Sequence, residues 1–264
     1  MARFYMTMMR VAVMEQVQYR AANYFFMIGM VTEPIVYLVV WSTVARAQGG
    51  DVDGYTPARF AAYYIVWTLV RNMNIVFTPF GWEERIREGT LSAQLARPLH
   101  PIHYDLAGFA GWKVVAIVLW LPIAGALVLL FDPELSPRPT QVVGFAVAIW
   151  GAYLIRSFLL WILGMVTFWT TRVSGIFEAF FAAELLLSGR LLPMSLMPQW
   201  AQDVASVLPF QWTFGFPITS LVGPVSDRDL LVGLAYQAAW IAVGALGVRL
   251  LWRRAVRTYT AVSG

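Results

Sequence analysis

Apolar runs of membrane-crossing character return six times along this chain, and the polar stretches between them are short. That recurrence restricts the fold more than any other feature. A transmembrane helix needs about 20 largely apolar residues, because in hydrocarbon the backbone must pair its own N–H and C=O groups. The runs cover residues 22–45, 58–80, 106–131, 141–168, 175–187 and 230–252. The fifth is only about 20 Å long at 1.5 Å per residue, short of the roughly 30 Å hydrocarbon layer, yet it must cross for the polar segments to alternate sides. Composition agrees. With 59% hydrophobic and 13% charged residues, the chain lies far from the roughly one-quarter charged content of soluble domains. The spacing therefore predicts an all-α membrane protein, one transmembrane domain over residues 1–264.

The basic residues set its orientation. Arg3, Arg10, Arg20, Arg85, Arg87, Arg97, Lys113, Arg172, Arg249, Arg253, Arg254 and Arg257 fall on one side of the predicted spans. Arg46, Arg59, Arg138, Arg190 and Arg228 fall on the other. The excess places both termini in the cytoplasm of an inner membrane protein. Clustering at span ends also accounts for the formal charge of +4 without a nucleic-acid partner. Residues 1–20 carry Phe4, Met8 and Val11 at helical spacing among charges, which suits a helix on the inner surface and not a signal peptide. Residues 188–229 fall outside, as short interfacial or re-entrant helices. A seventh span through 210–225 is disfavoured by Pro209, Pro217 and Pro224 and by the parity it breaks.

Two features stand out as functional candidates. The first is the polar cytoplasmic stretch 81–105. A helical turn with Glu83 and Arg87 at i,i+4 ends near Gly89. Thr90 then reads as the N-cap of a short amphipathic helix with Leu91 and Leu95 on one face, stopped at Arg97 by Pro98. Such an element serves either as a docking helix for another protein or as a connector lying on the headgroups. The second is a set of charges inside the spans: Glu33, Arg71, Arg156 and Glu184, with Glu178 near the inner boundary. Depth matches Glu33 to Arg71 and Arg156 to Glu184, which predicts two interhelical ion pairs; a proton or ion path is the alternative.

Other chemistry is excluded. The chain has no cysteine, hence no disulfide, thiol nucleophile or cysteine metal site. His100 and His103 are the only histidines, and their spacing lacks the further ligands a metal needs. There is no GxxxxGK[ST], HExxH or GxSxG signature, so the chain carries no ATPase or hydrolase site of its own.

The order of parts resembles the transmembrane subunits of type-two ABC exporters: a surface helix, two spans, a cytoplasmic helical loop, three spans, a broken outer hairpin and a last span ending in basic residues. EERIREGTLSAQLARPLHP is similar to the loop that family docks into its ATPase. LLPMSLMPQWAQDVASVLPFQWTFGFPITSLVG is similar to its outer-leaflet helices. The GTLSAQLARPLHP form resembles a bacterial branch with paired permeases. The resemblance implies an exporter permease that is half of a transmembrane dimer, identical or homologous, in a lipid bilayer. It further implies two ABC ATPase subunits that hold ATP and Mg, with none bound by this chain. Glu83, Glu84, Gly89, Leu91, Leu95, Arg97 and Pro98 would form the coupling element. A proton-coupled secondary transporter using Glu33 or Glu184 is the competing expectation, and a scaffold without transport a third.

Overall fold

The computed structural model describes residues 1–170 and 173–259, with the side chains of Arg20 and Arg87 outside the description. The placement of Arg172 among the inner basic residues therefore lies outside the described residues. Eleven α-helices follow in order among those described: α1 (Ala2–Gln18), α2 (Arg20–Ala47), α3 (Pro57–Met73), α4 (Pro79–Arg87), α5 (Thr90–Leu95), α6 (Pro101–Phe131), α7 (Pro139–Met165), α8 (Ser174–Leu187), α9 (Gln199–Val207), α10 (Gly215–Val222) and α11 (Asp227–Thr258). Among the described residues four segments are long and apolar enough to cross a membrane: Ala21–Ala47, Pro101–Phe131, Pro139–Phe168 and Asp227–Thr258. At 1.5 Å per residue α3 and α8 reach only about 25 and 21 Å.

The centre of the fold is α3. Every side chain from Phe60 to Val70 is buried, enclosed by α2, α6, α7 and α10. Aromatic residues dominate this core, with Trp41 stacked on Phe60 at 5.9 Å and Trp67 against Phe214 at 6.4 Å. Thr56 caps its start by accepting from the Arg59 N–H, and Pro57 supplies the preset φ of a first helical residue. α2 and α6 flank it, sharing the cluster of Val31, Ile65, Ala124 and Leu127.

The apolar pattern predicted a span running to Phe80, whereas α3 stops at Met73. Its last turn is closed by side chains: Asn72 Nδ2 donates to Thr68 O at 2.7 Å and Asn74 Nδ2 to Val70 O at 3.0 Å. Asparagine competes for backbone groups in this way and so ends helices. Pro79 then forbids a helical residue before it, and Thr78 is extended at φ −87° and ψ 156° as the residue preceding a proline must be. As a result α4 begins at Pro79, three residues before the expected Trp82.

α7 and α11 pack along a seam of close approaches. A Cβ on Gly144 would meet Leu230, one on Gly151 would meet Gln237 and one on Gly244 would meet Phe158. α1 lies against α6, where Gly111 faces the Met9 carbonyl and Ala12. Between α8 and α11 the chain turns back into the bundle. Gly189, at φ +82°, lets the backbone turn so that Gly189 O accepts from Tyr63 OH at 2.6 Å, Arg190 O from Trp67 Nε1 at 3.0 Å and Leu191 O from Tyr64 OH at 2.9 Å. Deeper still, Thr213 O accepts from Asn74 and Trp212 O from Gln237. Irregular backbone is tolerated at membrane depth when protein groups satisfy it, as here.

Candidate functional site

The polar segment after α3 is a rigid corner, not a free loop. Trp82 on α4 is fully buried and lies so close over Gly164 of α7 that a Cβ there would sit 1.9 Å from its ring. Arg85, next on α4, grips Asp105 of α6 with two hydrogen bonds of 2.6 and 2.9 Å and stacks on Phe77 at 3.7 Å. Asp105 also accepts from Trp161 Nε1 at 3.0 Å. Thus α4 is bolted to both α6 and α7 within two turns.

α5 differs from expectation in two respects. Its N-cap is Gly89, left-handed at φ 68° and ψ 5°, while Thr90 is the first helical residue and donates its hydroxyl to Arg85 O at 3.5 Å. The reason is conformational, because a left-handed corner between α4 and α5 strains any residue with a Cβ. The second difference concerns the apolar edge. Leu91 is 0% exposed, and Leu95 packs against the same cluster of Trp82, Ile102, Trp161 and Met165. Ser92 Oγ meets Tyr259 OH at 2.9 Å. The edge expected to await a partner is covered by this chain's own α4, α6 and α7 and its C-terminal segment. What remains exposed is the opposite face, with Glu84, Glu88, Thr90, Ser92, Ala93, Arg97 and Pro98; Glu83 is half-buried. The Arg97 guanidinium lies 4.9 Å from the Tyr104 ring centre.

His100 ends the corner as the N-cap of α6, accepting from the Ile102 N–H at 3.3 Å. Its ring lies 4.4 Å from Trp252 and 5.7 Å from Trp161. Burial, helped by His103 nearby, pushes its pKa down to about 4. His103 instead bonds Tyr5 OH at 2.8 Å, tying α1 to α6.

Inside the bundle, the depth-matched charges meet. Glu33 and Arg71 pair at 2.5 Å, and Arg156 holds Glu184 through two hydrogen bonds of 2.7 and 2.8 Å. Glu178 is exposed. Two further cations, assigned by the sequence reading to opposite surfaces, belong to this layer. Arg190 sits with Glu33 at 3.1 Å, because the chain after α8 turns inward before it reaches the surface. Lys113 is 0% exposed, and its Nζ donates to Asn72 O at 3.0 Å and to Ile75 O. Arg156 Nη1 donates to Asn74 O. Lys113 and Arg156 thereby bond the carbonyls where α3 ends, and the helix dipole favours cations there. The Ser188-Gly189 interruption beside Arg190 was the available signal for the inward turn; nothing local distinguishes Lys113 from a boundary lysine.

This arrangement, a short aromatic-sheathed helix held among long apolar helices with a polar corner fixed at one end, is that of a multi-pass membrane protein. Residues 31–263 match the family described as ABC-2 family transporter protein, and the chain belongs to it. It is a permease, a membrane subunit of an ABC transporter. No curated protein matches the chain.

Proposed function

We propose that this permease forms half of the membrane path of an ATP-driven exporter, pairing with a second permease and receiving the ATPase stroke through α4 and α5. In this reading the chain crosses six times, with α3 and α8 as the short crossings, both termini and the α4–α5 corner lie in the cytoplasm of an inner membrane, and two ATPase subunits carry ATP and Mg. The observation that carries the proposal is the mechanical one. A load on α4 passes to α7 through Trp82 seated on Gly164 and to α6 through the bidentate Arg85–Asp105 pair. A solvated connector would need neither. Glu184, with both oxygens on Arg156 and 1% exposure, is poorly placed for the competing proton-coupled scheme.

The ATPase meets the exposed face of the corner, since Leu91 is already covered. Reversing Glu84 and Glu88 to lysine changes only exposed side chains, so the permease should keep its yield and melting temperature while ATPase co-purification falls about ten-fold or more, a loss of roughly 1.4 kcal/mol. Retention of the ATPase with unchanged ATP hydrolysis overturns the docking assignment.

A further inference from the structure

Charge is unbalanced in the buried layer. Among the described residues it holds four cationic side chains, Arg71, Lys113, Arg156 and Arg190, against two acids, Glu33 and Glu184. Two of the cations are accounted for locally: Arg156 has Glu184, and Lys113 and Arg156 both cap the end of α3. Of the two surplus positive charges, one is that of Lys113, held by carbonyls alone, and the other is left around Glu33. Its Oε2 takes Arg71, its Oε1 takes Arg190 at 3.1 Å and also the Tyr37 hydroxyl at 3.1 Å. One carboxylate therefore serves two guanidiniums and is saturated.

Those guanidiniums are not. Arg71 meets the acid through Nη1, Arg190 reaches it through Nη2, and Arg190 Nε is buried with no hydrogen-bond partner. Both cations lean on Trp67, at 5.4 and 5.8 Å from its ring centre, and Arg190 also on Phe214 at 5.9 Å. The cluster as a whole keeps an open side, since the side chains of Arg71 and Arg190 are each 22% exposed and that of Glu33 28%. By helix rise Glu33 lies about 20 Å from the start of α2 and Arg71 about 21 Å from the start of α3, near mid-membrane. A net positive charge at that depth is costly without a counter-ion. A guanidinium fork matches the paired oxygens of a phosphate or carboxylate. On the same face of α2, three and seven residues beyond Glu33, Val36 and Val40 are exposed and offer an apolar track for a chain.

We propose that Arg71 and Arg190 form a binding site for the acidic head group of an anionic amphiphile, with its alkyl portion along α2. This deepens the transport reading above by naming the class of substrate, and it rests on that reading.

The test uses the full-length permease in neutral phosphatidylcholine nanodiscs, with radiolabelled dodecyl phosphate as probe and empty discs subtracted. Saturable binding is expected, displaced by unlabelled dodecyl phosphate but not by equal dodecyltrimethylammonium or inorganic phosphate. Arg71→Gln and Arg190→Gln should each weaken it about ten-fold, near 1.4 kcal/mol. Glu33→Gln should tighten it, since it frees both guanidiniums; a merely structural acid would give the opposite. Should Glu33→Gln fail to fold, the double variant Glu33→Gln with Arg71→Gln restores the cluster's net charge with Arg190 as its one guanidinium and should bind more tightly than Arg71→Gln alone. Melting temperature checks folding of each variant. The proposal is overturned by absent saturable binding, by folded arginine variants that bind as wild type, or by equal displacement with inorganic phosphate, which marks an aqueous anion site. Loss of binding in the two-permease complex also overturns it, because a partner's acid then neutralises the surplus. ATPase co-purification is measured separately, so failure of the docking reading and failure of this one are told apart.

Discussion

Two ion pairs, one joining α2 to α3 and one joining α7 to α8, are built from the same residue types and behave as different devices. On the α7 side Arg156 and Glu184 are 12% and 1% exposed, match one to one and share two hydrogen bonds. On the α2 side Glu33 faces two arginines and stays open. The helices that carry them differ likewise: half of the most apolar stretch of α7 is buried inside the chain, against 28% for α2. The difference teaches that an intramembrane pair locks a fold when its charges balance and water is excluded. With a surplus and an opening, the same chemistry can receive a ligand.

The strongest way to break this contrast is to remove each acid in turn. Glu184→Gln leaves Arg156 charged and enclosed, and loss of one partner from a buried pair costs about 3–5 kcal/mol. Glu33→Gln leaves guanidiniums that still reach the open side, so its cost should stay under about 2 kcal/mol. Equilibrium unfolding in mixed micelles reads both. Equal losses would show that the α2 cluster is as closed as the α7 pair.

Much of this pairing was legible from the chain, because helix rise converts residue number into depth and only four charged residues fell well within the predicted spans. What escaped depended on where backbone stops being helical. The apolar pattern runs on past Met73 to Phe80, so the end of α3 and the need for Lys113 to cap it were hidden. Arg190 follows a short helix, and counting crossings sent it to the surface when Tyr63, Tyr64 and Trp67 in fact draw that backbone inward. At the corner, the turn after Arg87 and the stop near Pro98 were readable from glycine and proline. The cover over Leu91 was not, since Trp161 and Tyr259 approach it from far along the chain.

The same two sides can be compared by adding one methyl group to each. On α7, Gly164→Ala places a Cβ into Trp82, forcing the indole out of a fully buried site; overpacking of this kind costs about 1–3 kcal/mol. It should also loosen α4 and so lower ATP hydrolysis in the complex. On α2, Gly29 has nothing within 4 Å of an added Cβ. Gly29→Ala is expected to be neutral or to stabilise by up to about 1 kcal/mol through helix propensity. Thermal unfolding of the two variants side by side checks the claim, and a destabilised Gly29→Ala would reveal a close neighbour against α2.

The smallest expected effect is a pH dependence confined to the α7 side. His100 packs against Trp161 and Trp252, and burial holds its pKa near 4 in the folded chain, below the ordinary value of about 6.5 for an unfolded histidine. The unfolded chain therefore binds the proton first as pH falls. Stability from the neutral, buried imidazole is complete above about pH 6.5, declines between there and about pH 4, and declines no further from this group below that. His100→Gln keeps an acceptor in reach of the Ile102 N–H but cannot take up the proton. Its melting temperature should be lower than wild type at pH 8, yet the gap should narrow as pH drops from 7 toward 4. The cluster of Glu33, Arg71 and Arg190 contains no histidine, so Arg190→Gln should shift the melting temperature by the same amount from pH 8 to about pH 6, above the ordinary carboxylate range. If the His100→Gln gap stays constant, or if Arg190→Gln develops the same pH dependence, the titrating group lies elsewhere and the α7 and α2 sides are less distinct than their geometry implies.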